Sequence, residues 1–90
     1  MNIRESKQFI ALSLASDLQN IAQGVYNRRE SQVMAFVHHA KGLSERLKQD
    51  ERILGLLNNL EIPSSDEARL KLADKIMTWS AILQTTYVGH

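Results

Sequence analysis

Two adjacent histidines, His38 and His39, are the residues of this sequence best suited to chemistry, and Lys41 follows closely. On a helix with about 100° of turn per residue, His38 points away from the apolar residues and His39 lies at their edge. The apolar residues that define this core face are Val33, Phe36, Ala40, Leu43 and Leu47. An exposed neutral imidazole can attack a phosphoryl group, and a nearby cation balances the charge of the product. The pattern therefore allows His38 to act as a phosphoryl acceptor supported by Lys41.

Small residues beside His38 favour access by a partner protein. A glycine in mid-helix costs about 1 kcal/mol relative to alanine, so Gly42 calls for an explanation. Clearance for a partner that approaches His38 is one explanation, and Ala35 in the preceding turn has the same effect. Met34 offers the partner an apolar contact, and Glu45 lies on the same exposed face. The plainer interpretation is an exposed histidine on a solvated helix face.

The run HHAKGLS at positions 38–44 resembles the His-x-Leu-Lys-Gly-Ser-Ala signature of histidine phosphotransfer domains. These domains are helical carriers that pass a phosphoryl group between receiver-domain aspartates in two-component signalling. The resemblance implies that His38 is the phosphorylated residue, that Lys41 supports it electrostatically and that Gly42 makes room for the receiver. The implied partner is a response-regulator receiver domain, and no cofactor is expected.

Other kinds of catalytic or metal site find no support in the residues. His38 and His39 diverge by about 100° on a helix, and neither has a metal-ligating residue four positions away, so no metal site is expected. The chain has no cysteine, and its serines lack the glycines of a nucleophile elbow. We expect a phosphocarrier or a binding module rather than a conventional enzyme.

The C-terminal segment is apolar around more of its circumference than one core contact requires. Its apolar residues spread over an arc of roughly 220°, compared with the roughly 100° that a helix buries against its core. Either this helix is central in the fold, or a face of Leu72, Trp79 and Ile82 contacts a second copy of the chain or another protein. The second function hypothesis is therefore a non-catalytic helical module that binds a partner or forms a homodimer.

The elements that carry these residues are all predicted to be helices. Strong helix formers dominate the chain, strand alternation is absent, and Pro63 is the sole proline. We expect one all-α domain over residues 1–90, an up-down-up-down bundle of four helices at about 3–23, 29–48, 51–60 and 65–87. The first helix is expected to bury one stripe of apolar residues: Ile3, Ile10, Leu14, Leu18, Ile21 and Val25.

Local signals place the helix ends. Gly24 is the expected stop of the first helix, and Ser64 with Glu67 is the expected capping box of the last. A single helix over residues 30–60 would be roughly 45 Å long and would overshoot its neighbours. Asp50 is a suitable N-cap for a new helix at Glu51, so two helices are favoured over one.

Charge and hydropathy limit the partners and the location that we expect for the chain. The formal net charge is +1, and the only local basic cluster is Arg28 with Arg29, so a nucleic-acid partner is not expected. No segment is apolar for the length needed to span a bilayer, and the N-terminal segment lacks the form of a secretory signal. We expect a cytoplasmic protein that binds neither nucleic acid nor membrane.

Overall fold

The computed structural model describes residues 3–47 and 51–88, with the side chains of residues 7–47 and 51–87. Within these ranges it contains four α-helices and no strand: α1 (Ile3–Tyr26), α2 (Glu30–Leu47), α3 (Glu51–Asn58) and α4 (Asp66–Val88). The all-helical prediction is confirmed, and the region after Glu30 forms two helices, as predicted. Asp50, the predicted cap of α3, lies outside the described residues.

The first helix continues past Gly24, where the sequence predicted its end, to Tyr26. The amide of Arg29 donates to the carbonyl of Gly24 at 2.8 Å, and the amide of Arg28 donates to that of Val25 at 3.2 Å. These are the two hydrogen bonds of a Schellman cap, whose left-handed residue follows the helix end. Arg28 occupies that position with a φ of 59°. The predicted stop was wrong because an arginine, rather than the glycine, makes the left-handed turn.

Gly24 instead allows α1 and α2 to approach each other closely. A Cβ atom added to Gly24 would lie 2.7 Å from Cγ2 of Val33 on α2. Valine has one strongly preferred side-chain rotamer in a helix, so Val33 cannot easily move aside. The packing of α1 against α2 therefore depends on the missing side chain.

The core lies between α1 and its neighbours. α1 packs against α2 and α4, and α2 packs against α3. The predicted stripe of α1 is buried from Ile10 to Val25, whereas the side chain of Ile3 lies outside the described residues. Each large aliphatic side chain that is fully buried stabilises the fold by about 1.5–3 kcal/mol. The largest of them come from α1, α3 and α4: Leu14, Leu18, Ile21, Val25, Ile53, Leu57 and Ile76.

The start of α4 is fixed by a serine and a buried arginine. Oγ of Ser65 accepts a hydrogen bond from the amide of Ala68 at 3.1 Å, so Ser65 caps the helix and the prediction of Ser64 was one residue early. Arg69 is buried and donates to the carbonyls of Pro63 at 3.1 Å and Ser64 at 2.8 Å. The guanidinium therefore holds the loop that precedes α4 against the helix.

α4 runs in the opposite direction to α1. Oγ of Ser80 donates to the carbonyl of Ala15 at 2.9 Å and accepts a hydrogen bond from Nε2 of Gln19 at 3.3 Å. Towards the start of α4, Arg69 lines a cavity together with Tyr26 at the end of α1. Ala15 lies beside Ser80 and Tyr26 lies near Arg69, so residue numbers rise along α1 while they fall along α4. The two helices are therefore antiparallel.

Candidate functional site

One side of α2 carries the predicted phosphoryl acceptor and all of the residues predicted to surround it. Five of them are exposed: Met34, Ala35, His38, Gly42 and Glu45. Lys41 is half-buried. All six lie within roughly a third of the helix circumference. The opposite side of α2 packs into the core through Val33, Ala40, Leu43 and Leu47. The helix therefore presents His38 to solvent, with the other five residues around it.

Gly42 lies on this surface without a packing role. A Cβ atom added to Gly42 would meet no described atom within 4 Å, in contrast to the close contact at Gly24. Replacing a mid-helix glycine with alanine ordinarily stabilises a helix by about 1 kcal/mol. The fold therefore tolerates a side chain at position 42, and its absence leaves an open surface one turn after His38.

Lys41 lies three positions after His38 on the same side of α2. Residues three positions apart on a helix have Cβ atoms about 5–6 Å from each other. A half-buried lysine lays its aliphatic stem along the protein surface and keeps its ammonium group in water. The ammonium group of Lys41 can therefore reach an anionic group attached to His38.

His39 forms a side-chain contact that the sequence did not predict. Its Nδ1 atom lies 2.5 Å from Oδ2 of Asp17 on α1. A carboxylate oxygen accepts a hydrogen bond, so Nδ1 of His39 is the donor in this contact. In the neutral ring, Nε2 then carries no proton. The side chain of Asp17 is 8% exposed and that of His39 is 64% exposed. The pair ties the middle of α2 to α1.

A signal for this contact was present in the sequence. Asp17 lies three residues after Leu14 and four before Ile21, so it falls within the buried stripe of α1. A carboxylate buried among apolar side chains requires a hydrogen-bonding or charged partner. The sequence therefore indicates that Asp17 has a partner, and His39, expected at the core edge of the neighbouring helix, is one residue that could supply it.

The second predicted surface is divided between two places. Leu72 and Trp79 are half-buried and line a groove of about 580 Å³ between α3 and α4. The guanidinium of Arg52 on α3 lies 4.8 Å from the centre of the Trp79 ring, within the range of a cation–π interaction. Ile82 is 42% exposed and lines a different cavity, next to Leu83. Leu72 and Trp79 therefore line a different cavity from Ile82, and α3 covers part of the apolar arc of α4.

Two further properties concern metals and membranes. Among residues 3–47 and 51–88, no three His, Asp or Glu side chains lie close enough together to hold a metal ion. In the part of the chain that the structure describes, every helix falls short of the length or the apolar character needed to cross a membrane.

Comparisons with known proteins returned no match to this chain, whether among family models, curated proteins or solved structures.

Proposed function

We propose that this chain is a histidine phosphotransfer protein that relays a phosphoryl group between receiver-domain aspartates, with His38 as the acceptor. One observation carries the proposal: an exposed imidazole lies one turn before a glycine at which an added Cβ atom would meet no described side chain or neighbouring helix within 4 Å. A partner that needs this space accounts for a glycine that helix stability and packing do not favour.

The reaction requires a nucleophile, a donor and a balancing charge. A ring nitrogen of His38 attacks the phosphorus of an aspartyl phosphate, and the nitrogen–phosphorus bond forms as the bond from phosphorus to the carboxylate oxygen breaks. The aspartate leaves with the bonding electron pair as a carboxylate. Lys41 balances the negative charge of the phosphoryl group on His38. Attack by the aspartate of a second receiver reverses these steps and regenerates the free imidazole.

The receiver docks on the exposed residues around His38. Met34 is 70% exposed and gives the partner an apolar anchor close to the imidazole. Ala35 and Gly42 have little or no side chain, so they leave room for the receiver to approach His38. Glu45, two turns after His38, pairs with a cation on the receiver. These contacts require no cofactor.

The proposal includes the up-down-up-down arrangement of the four helices and a cytoplasmic location. The packing of α1 against α2 and α4, and of α2 against α3, is consistent with such a bundle. In this arrangement the core supports α2 from one side only, which leaves the face of His38 available to a receiver.

A panel of purified receiver domains, each phosphorylated with acetyl phosphate, tests the proposal. We expect acid-labile label to pass from at least one receiver to the wild-type chain and to be abolished by His38→Gln. His39→Gln is the matched control, since it removes the neighbouring imidazole and should retain the label while the chain remains folded by circular dichroism. A wild-type chain that stays unlabelled across the panel would end the proposal.

A binding module without chemistry is the second candidate, and the groove lined by Leu72 and Trp79 favours it. A partner that inserts an apolar side chain between α3 and α4 would bury more of both residues. Pull-down with wild-type and Trp79→Ala chains, followed by measurement of the affinity for each captured protein, tests this candidate. Equal binding by both chains would contradict it.

A further inference from the structure

Most of α1 carries no exposed charge. Asp17 is the sole charged residue between positions 8 and 27, and it is buried against His39. At the chain's own charged fraction of 23%, a stretch of this length would hold about five charged residues. Its solvent-facing side chains are instead apolar, amide or hydroxyl groups: Gln8, Phe9, Leu12, Ser16, Gln23 and Tyr26.

The adjoining side of α4 continues this uncharged surface. Leu70, Met77, Ala81 and Gln84 are exposed and are spaced so that they fall within roughly 60° of one another on the helix. The nearest charged residue, Asp74, lies at the outer edge of this group. Leu70 is 49% exposed and Met77 is 43% exposed, so two large apolar side chains are in contact with water.

The two groups form one surface because α1 and α4 are in contact and antiparallel. The hydrogen bond from Ser80 to the carbonyl of Ala15 sets the register between the helices. One turn before Ala15, Leu12 is then level with Gln84, and one turn after it, Gln19 is level with Met77. Near the far end, Tyr26 is level with Leu70, in agreement with the cavity that Tyr26 shares with Arg69. We call this surface the α1–α4 face, formed by Leu12, Gln19, Gln23, Tyr26, Leu70, Met77, Ala81 and Gln84.

The geometry points to the α1–α4 face as a homodimer interface, with a second copy of this chain as its occupant. Depletion of charge and exposure of aromatic and methionine side chains distinguish the centre of an interface from other protein surface. In a two-fold interface the same patch of both copies meets, so a charged group near the axis lies opposite its own counterpart and meets like charge. A face without charge avoids that repulsion.

The polar residues of the face also suit a second copy. Gln19, Gln23 and Gln84 each carry a donor and an acceptor in the amide group, so each can pair with an amide of the same face on the second copy. A charged partner would instead find no complementary ion on this face. The amides therefore favour self-association over binding to an acidic or basic protein.

The size of the face is sufficient for a dimer of moderate affinity. It extends over roughly 21 Å of helix and across two helices each about 10–12 Å wide, so each copy would bury about 500 Å² and the pair about 1,000 Å², the lower bound for a specific interface. The face does not include His38, which lies on α2. Dimerisation therefore leaves His38 exposed and does not depend on whether His38 accepts a phosphoryl group.

Sedimentation equilibrium of the purified chain from about 1 μM to about 1 mM tests this inference. We expect a reversible monomer–dimer equilibrium in the wild type, and at least a tenfold weaker dimer in Met77→Glu, which adds a carboxylate at the middle of the face. Thr85→Glu is the matched control, because it adds the same charge on the outward side of α4 and should leave the equilibrium unchanged. Circular dichroism establishes that both variants fold.

A charge-reversal experiment identifies the occupant as a second copy. Mixing Met77→Glu with Met77→Lys should restore dimer to a level that neither variant reaches alone, since opposite charges then face each other across the interface. A wild-type monomer at all concentrations overturns the inference, including the case in which the face binds a different protein. A dimer that Met77→Glu leaves intact, or that Thr85→Glu weakens equally, also overturns it. Trp79→Ala should leave the dimer intact.

Discussion

Nδ1 of His39 lies 2.5 Å from Oδ2 of Asp17, whereas the neighbouring His38 points away from α1 and faces solvent. Consecutive residues on a helix are rotated by about 100° about its axis, so the two imidazoles lie in different environments. The contact of His39 with a buried carboxylate gives it a structural role between α1 and α2. Both imidazoles are exposed, and His38 is the one that shares its face of α2 with Met34, Ala35 and Gly42.

The first prediction concerns the stability that the His39 contact provides. His39→Ala leaves the carboxylate of Asp17 buried without its partner, and we expect a loss of about 1–2 kcal/mol in the free energy of unfolding. His38→Ala is the matched control and should change it by less than about 0.5 kcal/mol. Urea unfolding followed by circular dichroism measures both. Equal losses in the two variants would show that the contact with Asp17 contributes nothing.

The second prediction concerns two glycines, of which Gly24 is packed closely against α2 and Gly42 lies in open space. Gly24→Ala places a methyl group 2.7 Å from Cγ2 of Val33, and we expect overpacking to destabilise the chain by about 1–3 kcal/mol. Gly42→Ala meets no described atom within 4 Å and should stabilise the chain by up to about 1 kcal/mol, since alanine favours the helix. Thermal unfolding of the two variants gives the signs. Addition of Val33→Ala to Gly24→Ala should recover part of the loss, and failure to do so would exclude this contact as the cause.

The third prediction concerns the left-handed residue in the turn between α1 and α2. Arg28 has a φ of 59°, a conformation that costs a non-glycine residue about 1–2 kcal/mol. Arg28→Gly should therefore raise the melting temperature. Arg29→Gly is the control, because Arg29 lacks a positive φ and a glycine there adds only flexibility. An equal or lower melting temperature in Arg28→Gly than in Arg29→Gly would contradict the prediction.

The helix ends show how far the sequence determines the fold. Composition and apolar spacing were sufficient to predict four helices, because those signals are repeated along each helix. The end of α1 was missed because a glycine ordinarily takes the left-handed position, whereas here Arg28 takes it and Gly24 serves the contact with Val33. Which glycine is needed for a turn and which for close packing depends on the neighbouring helix, and the sequence of α1 alone does not contain that information.

The candidate site was predictable in its exposure and unpredictable in its contacts. Helical periodicity places His38 at the surface because the core residues of α2 recur every three or four positions. The partner of His39 was missed because Asp17 lies 22 positions away on another helix. The contact of Arg52 with the Trp79 ring was not predicted for a similar reason, since it depends on where α3 packs.

The last prediction separates access to His38 from its chemical reactivity. Gly42→Gln adds a long side chain on the exposed face one turn after His38, where the fold has room for it. If the proposed phosphotransfer operates, transfer from a phosphorylated receiver should fall at least tenfold, because the receiver can no longer approach the imidazole closely. Phosphorylation of His38 by the small donor phosphoramidate should remain within about twofold of wild type, since a small molecule needs no docking surface. Rapid-quench assays with each donor measure the two rates. Equal slowing with both donors would mean that Gly42 acts on the imidazole itself, and unchanged transfer from the receiver would show that the open surface at Gly42 has no part in docking.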